Sequence, residues 1–143
     1  MAGFFEIHDS ILKGITWNGT QLCLNLRAVR NEWAGELGVG LGKTYYQEVR
    51  IDINGAQMEV DSPNLPNWLL NGSYTAVRQM ANAEDIEKDS IPASLVQAEG
   101  IELQLEGMNE DTHEYITIKT RGESMSVVFL GEPEFLQDFP AST

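Results

Sequence analysis

The chain has 143 residues, enough for one domain that buries its own core without a disulfide or a metal. Its formal net charge of −13 repels a phosphate backbone and an anionic bilayer alike, which argues against nucleic acid and membranes as partners. No apolar run nears the roughly 20 residues of a helical membrane span. Residues 1–6 lack the basic and long apolar parts of a secretory signal, and Cys23 is the lone cysteine, so a cytoplasmic, reducing setting is expected. The charge is uneven: residues 1–50 carry five acidic and five basic side chains, whereas residues 51–143 carry 17 and four.

Residues 11–17 are extended in character and lead into Asn18-Gly19, a preferred pair for a tight hairpin turn. Residues 20–28 then alternate. Leu22, Leu24 and Leu26 share one face, and Gln21, Cys23, Asn25 and Arg27 share the other, the signature of a half-buried strand. This sets Cys23 on the more polar face. The alternation stops over residues 29–43, where Gly35, Gly38, Gly40 and Gly42 predict a flexible loop. It resumes at Tyr45, with Gln47, Val49, Ile51 and Ile53 on one face. Asn54-Gly55 reads as a second hairpin turn, followed by a short strand over residues 57–61 with Met58 and Val60 facing in. Residues 62–72 read as an irregular crossing with one helical turn over 67–70, anchored by Trp68, Leu69 and Leu70.

Residues 73–80 alternate again. Residues 82–88 suit either a short helix, capped by Asn82 and interrupted later by Pro92, or a solvated acidic loop. Ile101, Leu103 and Leu105 mark another strand, and Ile116 and Ile118 the next. Asn109, Glu110 and Asp111 form an acidic turn that suits weak calcium contact, but without the twelve-residue calcium-loop pattern a hairpin turn is the better reading. A turn at Gly122-Glu123 precedes an apolar strand over 124–130, and Phe135 and Phe139 are expected to fold back onto the body. Seven or eight short antiparallel strands with at most one or two short helices predict a single all-β domain over residues 1–143, a sandwich or flattened barrel.

Gly42-Lys43-Thr44 invites a phosphate-loop reading, but Leu37 stands where the first glycine of that motif belongs, and a β pattern follows instead of a helix. His8-Asp9-Ser10 is the most distinctive polar cluster. A histidine beside a carboxylate suits a general base, yet neighbours on an extended strand point to opposite faces, so His8 and Asp9 can pair with each other only where the chain bends. The competing reading has Asp9 or Ser10 bonded to nearby backbone, with His8 partly buried. His8 and His113 lie far apart in sequence, and no paired-cysteine or His-Glu-x-x-His spacing occurs, so no metal and no cofactor are expected. Cys23 has no recognisable base beside it. Trp33 is either an exposed loop aromatic on a binding surface or a plug at one end of the fold.

The lead Phe5-Glu6-Ile7-His8-Asp9-Ser10 and the closing segment Gly131-Glu132-Pro133-Glu134-Phe135-Leu136-Gln137-Asp138-Phe139 resemble the two ends of a loose group of small, uncharacterised bacterial proteins. Some acidic proteins of that look are immunity proteins, which bind and neutralise secreted toxins. The resemblance implies an all-β domain and carries no catalytic residue. The sequence thus favours a non-enzymatic binding protein, monomer or homodimer, that meets a basic protein partner through the loop over 29–43 and an acidic face over 82–114. Those 33 residues hold ten acidic side chains and Lys88. The candidate binding residues are His8, Asp9, Trp33 and Lys43. The alternative is a small-ligand binder or enzyme with an aromatic-lined pocket that contains His8 or His113.

Overall fold

The computed structural model describes residues 2–33, 41–80, 90–93, 95 and 97–139. Strands dominate these residues: β1 (Ala2–Asn18), β2 (Gln21–Trp33), β3 (Gly42–Asn54), β4 (Gln57–Val60), β5 (Trp68–Met80), β6 (Ser90–Pro92), β7 (Gln97–Met108) and β8 (Tyr115–Phe139). All eight belong to one antiparallel sheet, and no helix occurs among the described residues. The all-β antiparallel expectation therefore holds. The possible helix over 82–88 falls outside the described residues.

The sheet curls into a ring. β1 pairs with β2, β2 with β3, β3 with β8, β8 with β7 and β7 with β5. β5 returns to β1 through one bridged pair, Ile11 with Trp68, beside which the Leu12 amide donates to the Asn67 carbonyl at 2.7 Å. The interior is apolar because the inward positions of each alternating strand are apolar. Leu22, Leu24, Ile51, Ile53, Ile101, Leu103, Leu105 and Ile118 are all 2% exposed or less. Removing this surface from water is the main stabilising term, at roughly 25 cal/mol per Å². The ring is filled: its internal cavity measures about 20 Å³, room for a water and no larger ligand.

Several local expectations give way to tertiary pairing. Of the loop expected over 29–43, residues 29–33 and 42–43 are strand, and 34–40 lie outside the described residues. β2 continues to Trp33, paired with β1 on one side and β3 on the other. The Trp33 ring lies against Gly42, where a Cβ would come within 2.7 Å of it, so the glycine permits the contact. Asn54-Gly55 does turn, with Gly55 at φ +61°, but it makes no hairpin. Both edges of β3 are already occupied at Ile53, by Leu22 and Met125, so β4 pairs further along β8 instead. Residues 68–70 are strand, not a helical turn, because Trp68 and Leu69 pair with Met108 and Gly107 of β7. Leu69 is fully buried as expected, whereas Trp68 is 47% exposed.

Gly122-Glu123 makes no turn either, and β8 runs through it unbroken. That glycine serves close packing: a Cβ there would sit 2.2 Å from Ile53 Cγ2. The closing segment consequently does not fold back. β8 continues beside β3 to Phe139, and Phe135 packs edge-on against Tyr45 at 5.7 Å between ring centres.

Candidate functional site

The pairing of β1 with β2 slips between Glu6 and Ile11, where residues 7–10 stand opposite the single residue Ala28. Asp9 turns the chain with φ +65°, and short polar side chains tolerate that conformation best after glycine. Ser10 holds the bulge together. Its buried hydroxyl donates to the Glu6 carbonyl at 2.5 Å and accepts from the Val29 amide at 3.1 Å, replacing a lost ladder bond. The backbone role expected for Asp9 or Ser10 is thus filled by Ser10.

The same bulge overturns one expectation for its neighbours and supplies the bend on which the other depended. His8 is exposed rather than partly buried. His8 and Asp9 do not point apart, because the positive φ brings His8 Nδ1 to 3.3 Å from Asp9 Oδ2, with both side chains 52% exposed.

Beside the bulge the outer face of β1, β2 and β3 forms an open cleft of about 430 Å³. Its walls include Glu6 and Asp9 of β1, Asn31 of β2, Thr44 and Tyr46 of β3, Trp68 of β5, and Glu110 of the β7–β8 turn. Asn31 is 1% exposed. Its Oδ1 accepts from the Thr44 hydroxyl at 2.6 Å, while its Nδ2 has no acceptor among the described residues. Three carboxylates and two aromatics line the cleft, and no lysine or arginine does so among the described residues. Arg27 approaches from outside, with its guanidinium 4.2 Å over the Tyr46 ring and an ion pair to Glu134 at 2.8 Å.

The turn that supplies Glu110 is built on Asn109. The Asn109 Oδ1 accepts from the amides of Asp111 and Thr112, both at 2.9 Å, and its Nδ2 donates to the Leu65 carbonyl at 2.9 Å. Glu114 accepts from Ser62 Oγ at 2.8 Å and Asn64 Nδ2 at 2.7 Å, and these bonds hold its carboxyl below the usual range. Glu110, Asp111 and Glu114 are exposed and gather at this end of the ring.

The acidic face expected over 82–114 is divided. Residues 82–89 lie outside the described residues. On β7 the carboxylates are interleaved with cations: Glu99 pairs with Arg78, and Glu102 pairs with Arg121 at 3.3 Å. Among the described residues, Glu106, which accepts from Gln104 Nε2 at 3.1 Å, and the turn with Glu110, Asp111 and Glu114, next to the cleft, form no ion pair.

Of the four candidate residues, only Asp9 lines the cleft. His8 stands beside it, and His113 is an exposed turn residue at φ +61°. Tyr46 and Trp68 stand in the cleft wall, and neither histidine is among its described lining residues. Trp33 is 4% exposed and stacks on Phe4 at 5.8 Å, so it is a plug and not a contact surface. Lys43 is exposed on the face of β3 opposite Thr44, 5.8 Å from the Phe135 ring centre, and so is not brought together with Asp9.

Sequence reasoning missed Asn31, Thr44, Tyr46 and Glu110 as cleft residues. The β2–β3 register sets Asn31 opposite Thr44 and Val29 opposite Tyr46, and the bulge and the β7–β8 turn add Asp9 and Glu110; no spacing along the chain records that.

Other chemistry finds little footing. Cys23 lies outside the core cluster, as its face predicted, yet burial first and the Asp52 carboxylate second push its thiol above its ordinary value. That disfavours the nucleophilic thiolate. Among the described residues, no group of three or more His, Cys, Asp or Glu side chains is placed to hold a metal ion. No described helix is long and apolar enough to cross a membrane. No family model, no curated protein and no solved structure matches the chain.

Proposed function

We propose that this chain is a non-enzymatic binding protein, acting in the cytoplasm, that holds a basic protein partner at the acidic end of its ring. The observation that carries the reading is the cleft itself. Glu6, Asp9 and Glu110 rim it without a lysine or arginine among its described lining, and Asp111 and Glu114 extend the same charge along the adjoining turn. Clustered charge of one sign steers an oppositely charged partner and fixes its register. An immunity-like role, neutralising a basic toxin, is one version of this reading.

The test is binding of a basic polypeptide such as protamine, by calorimetry at two salt concentrations. The triple substitution Glu6→Gln, Asp9→Asn, Glu110→Gln is compared with a control, Glu99→Gln with Glu102→Gln. Both sets remove negative charge, but only the first touches the cleft. The reading expects salt-sensitive binding that the first set weakens and the control spares. Equal loss from both sets would mean diffuse charge attraction, and no binding at low salt would end the reading.

A second reading, a small-ligand site, is favoured by the size of the cleft. Its volume, about 430 Å³, falls within the range of about 300–1,000 Å³ usual for ligand pockets.

A further inference from the structure

We propose that Asn18 is a modification site, whose side-chain amide is lost by cyclisation onto the Gly19 backbone nitrogen, while the fold protects the other Asn-Gly pairs of the chain. This chemistry is independent of the proposed function, since Asn18 and Gly19 are not among the described lining residues of the cleft.

The sequence holds three such pairs, at 18–19, 54–55 and 71–72. The reaction open to each is the same. The glycine nitrogen gives up its proton and attacks the asparagine Cγ, ammonia leaves, and a succinimide ring closes. Water then opens the ring at either carbonyl. The product is aspartate or isoaspartate, and in the latter the main chain runs through the former side chain. The step consumes only water and releases ammonia. Glycine favours it because no Cβ hinders the nitrogen and its backbone turns most freely. Within a fold the step further requires an unbonded asparagine amide, an unbonded glycine N–H, and backbone that opens easily.

The first pair meets all three conditions. Asn18 ends β1 opposite Gln21, so Gly19 and Thr20 form the turn between the strands, with Gly19 at φ +66°. Trp17, Asn18, Gly19 and Thr20 are all exposed. Neither the Asn18 side chain nor the Gly19 N–H has a hydrogen-bond partner among the described residues. A Cβ built on Gly19 meets nothing within 4 Å, so the approach is open. Exposed turns with few contacts open at little free-energy cost.

The second pair lies next door, where the Ala56 amide donates to the Thr20 carbonyl at 3.2 Å, yet it is held. The Asn54 Oδ1 accepts from Gln21 Nε2 and its Nδ2 donates to Ser124 Oγ, both at 3.1 Å. The Glu123 side chain covers Gly55, with Oε2 2.9 Å from where a Cβ would stand. That carboxylate also disfavours negative charge on the attacking nitrogen. The third pair is inside β5, with Asn71 and Gly72 in register with Glu106 and Leu105 of β7. A Cβ on Gly72 would meet the Gln104 carbonyl oxygen and Ile7 Cγ2, so the backbone has no room to turn until the strands part.

The test is peptide mapping by mass spectrometry after warm storage of the full chain at neutral pH, folded in buffer and unfolded in concentrated urea. Exchange of the amide for an acid shows as a mass gain, and electron-transfer fragmentation separates aspartate from isoaspartate. In the folded protein, product is expected at Asn18 with isoaspartate in it, and Asn54 and Asn71 are expected to react at least about tenfold more slowly, because their surroundings must open first. In urea the three pairs are expected to react at similar rates. Asn18→Gln removes the product at that position and leaves the other two slow. The proposal is overturned if Asn18 stays intact in the folded protein, if Asn54 or Asn71 keeps pace with it there, or if the product is aspartate alone, which would mean direct hydrolysis without the ring.

Discussion

The two halves of the sheet use the same strands to opposite ends. In the ring, β2 and β3 turn Leu22, Leu24, Leu26, Val49, Ile51 and Ile53 inward, and the opposite face is mostly polar. Past Ala28 the pairing of β2 with β3 continues without a slip, but the polarity changes sides. The inward positions become Arg30, Glu32 and Gln47, while Val29, Asn31, Trp33 and Thr44 are buried on the outer face. Arg30 and Glu32 form an ion pair at 2.7 Å, and Gln47 donates to the carbonyls of Leu130 and Gly131 at 3.3 and 3.1 Å, across the slip in the pairing of β3 with β8. One half is stabilised by apolar burial, and the other by polar groups that must be matched one by one. Burial tolerates approximate partners. A polar network does not, and among the described residues the unmet Asn31 Nδ2 and Arg30 Nε are where this one is incomplete.

Substitutions can break this contrast, and the largest effect belongs to the ring. Leu103→Ala, at a position 1% exposed, is expected to cost about 2–5 kcal/mol in urea unfolding. Phe135→Ala, at a position 53% exposed in the other half, is expected to cost under about 1 kcal/mol. Similar losses at the two sites would show that the extension is as well packed as the ring.

Tyr74 sharpens the same point through pH. Burial pushes its phenol from the ordinary value of 10.0 up to about 12. The fold therefore favours the neutral form. Stability is whole below pH 10 and falls as pH rises toward 12, by about 2–3 kcal/mol. Melting temperature against pH should show this alkaline decline in the parent, and Tyr74→Phe should flatten it.

A smaller effect is expected at the bulge. Ser10→Ala leaves the Val29 amide without its acceptor and should cost about 1–2 kcal/mol. It should also shift the Asp9 amide signal, since the hydroxyl holds the bulge that presents Asp9. Stability loss with an unmoved Asp9 signal would separate the two roles.

The smallest expected change is at the cleft floor. Replacing Asn31 and Thr44 together, by Leu and Val, removes a hydrogen-bonded pair and the unmet donor at once. Stability should stay within about 1 kcal/mol of the parent or rise, because taking out both partners leaves nothing unsatisfied. A large loss would mean that the Asn31 amide is matched in the free protein.

The sequence by itself determined the chemical class of the fold. Alternation over residues 21–28, 45–53 and 101–106 set which side chains face the core, because a strand's period of two leaves no other assignment. The Asn18-Gly19 turn followed from local geometry, with Gly19 at φ +66°. The turn at Asn109, Glu110 and Asp111 was legible too, and its asparagine bonds the backbone just after it. What only the tertiary structure decided was every place where two segments compete for one edge. Asn54-Gly55 carries a strong hairpin signal, yet β4 joins β8 because β3 has no edge left. Gly122 reads as a turn, yet it lies inside a strand because Ile53 needs the space. The cleft belongs to this second kind. Asp9, Asn31, Tyr46, Trp68 and Glu110 are scattered over a hundred residues of chain, and they meet because a ring closed by one bridged pair brings β5 back to β1. Local pattern carries the period of a strand, but it holds no record of which strand will lie beside it.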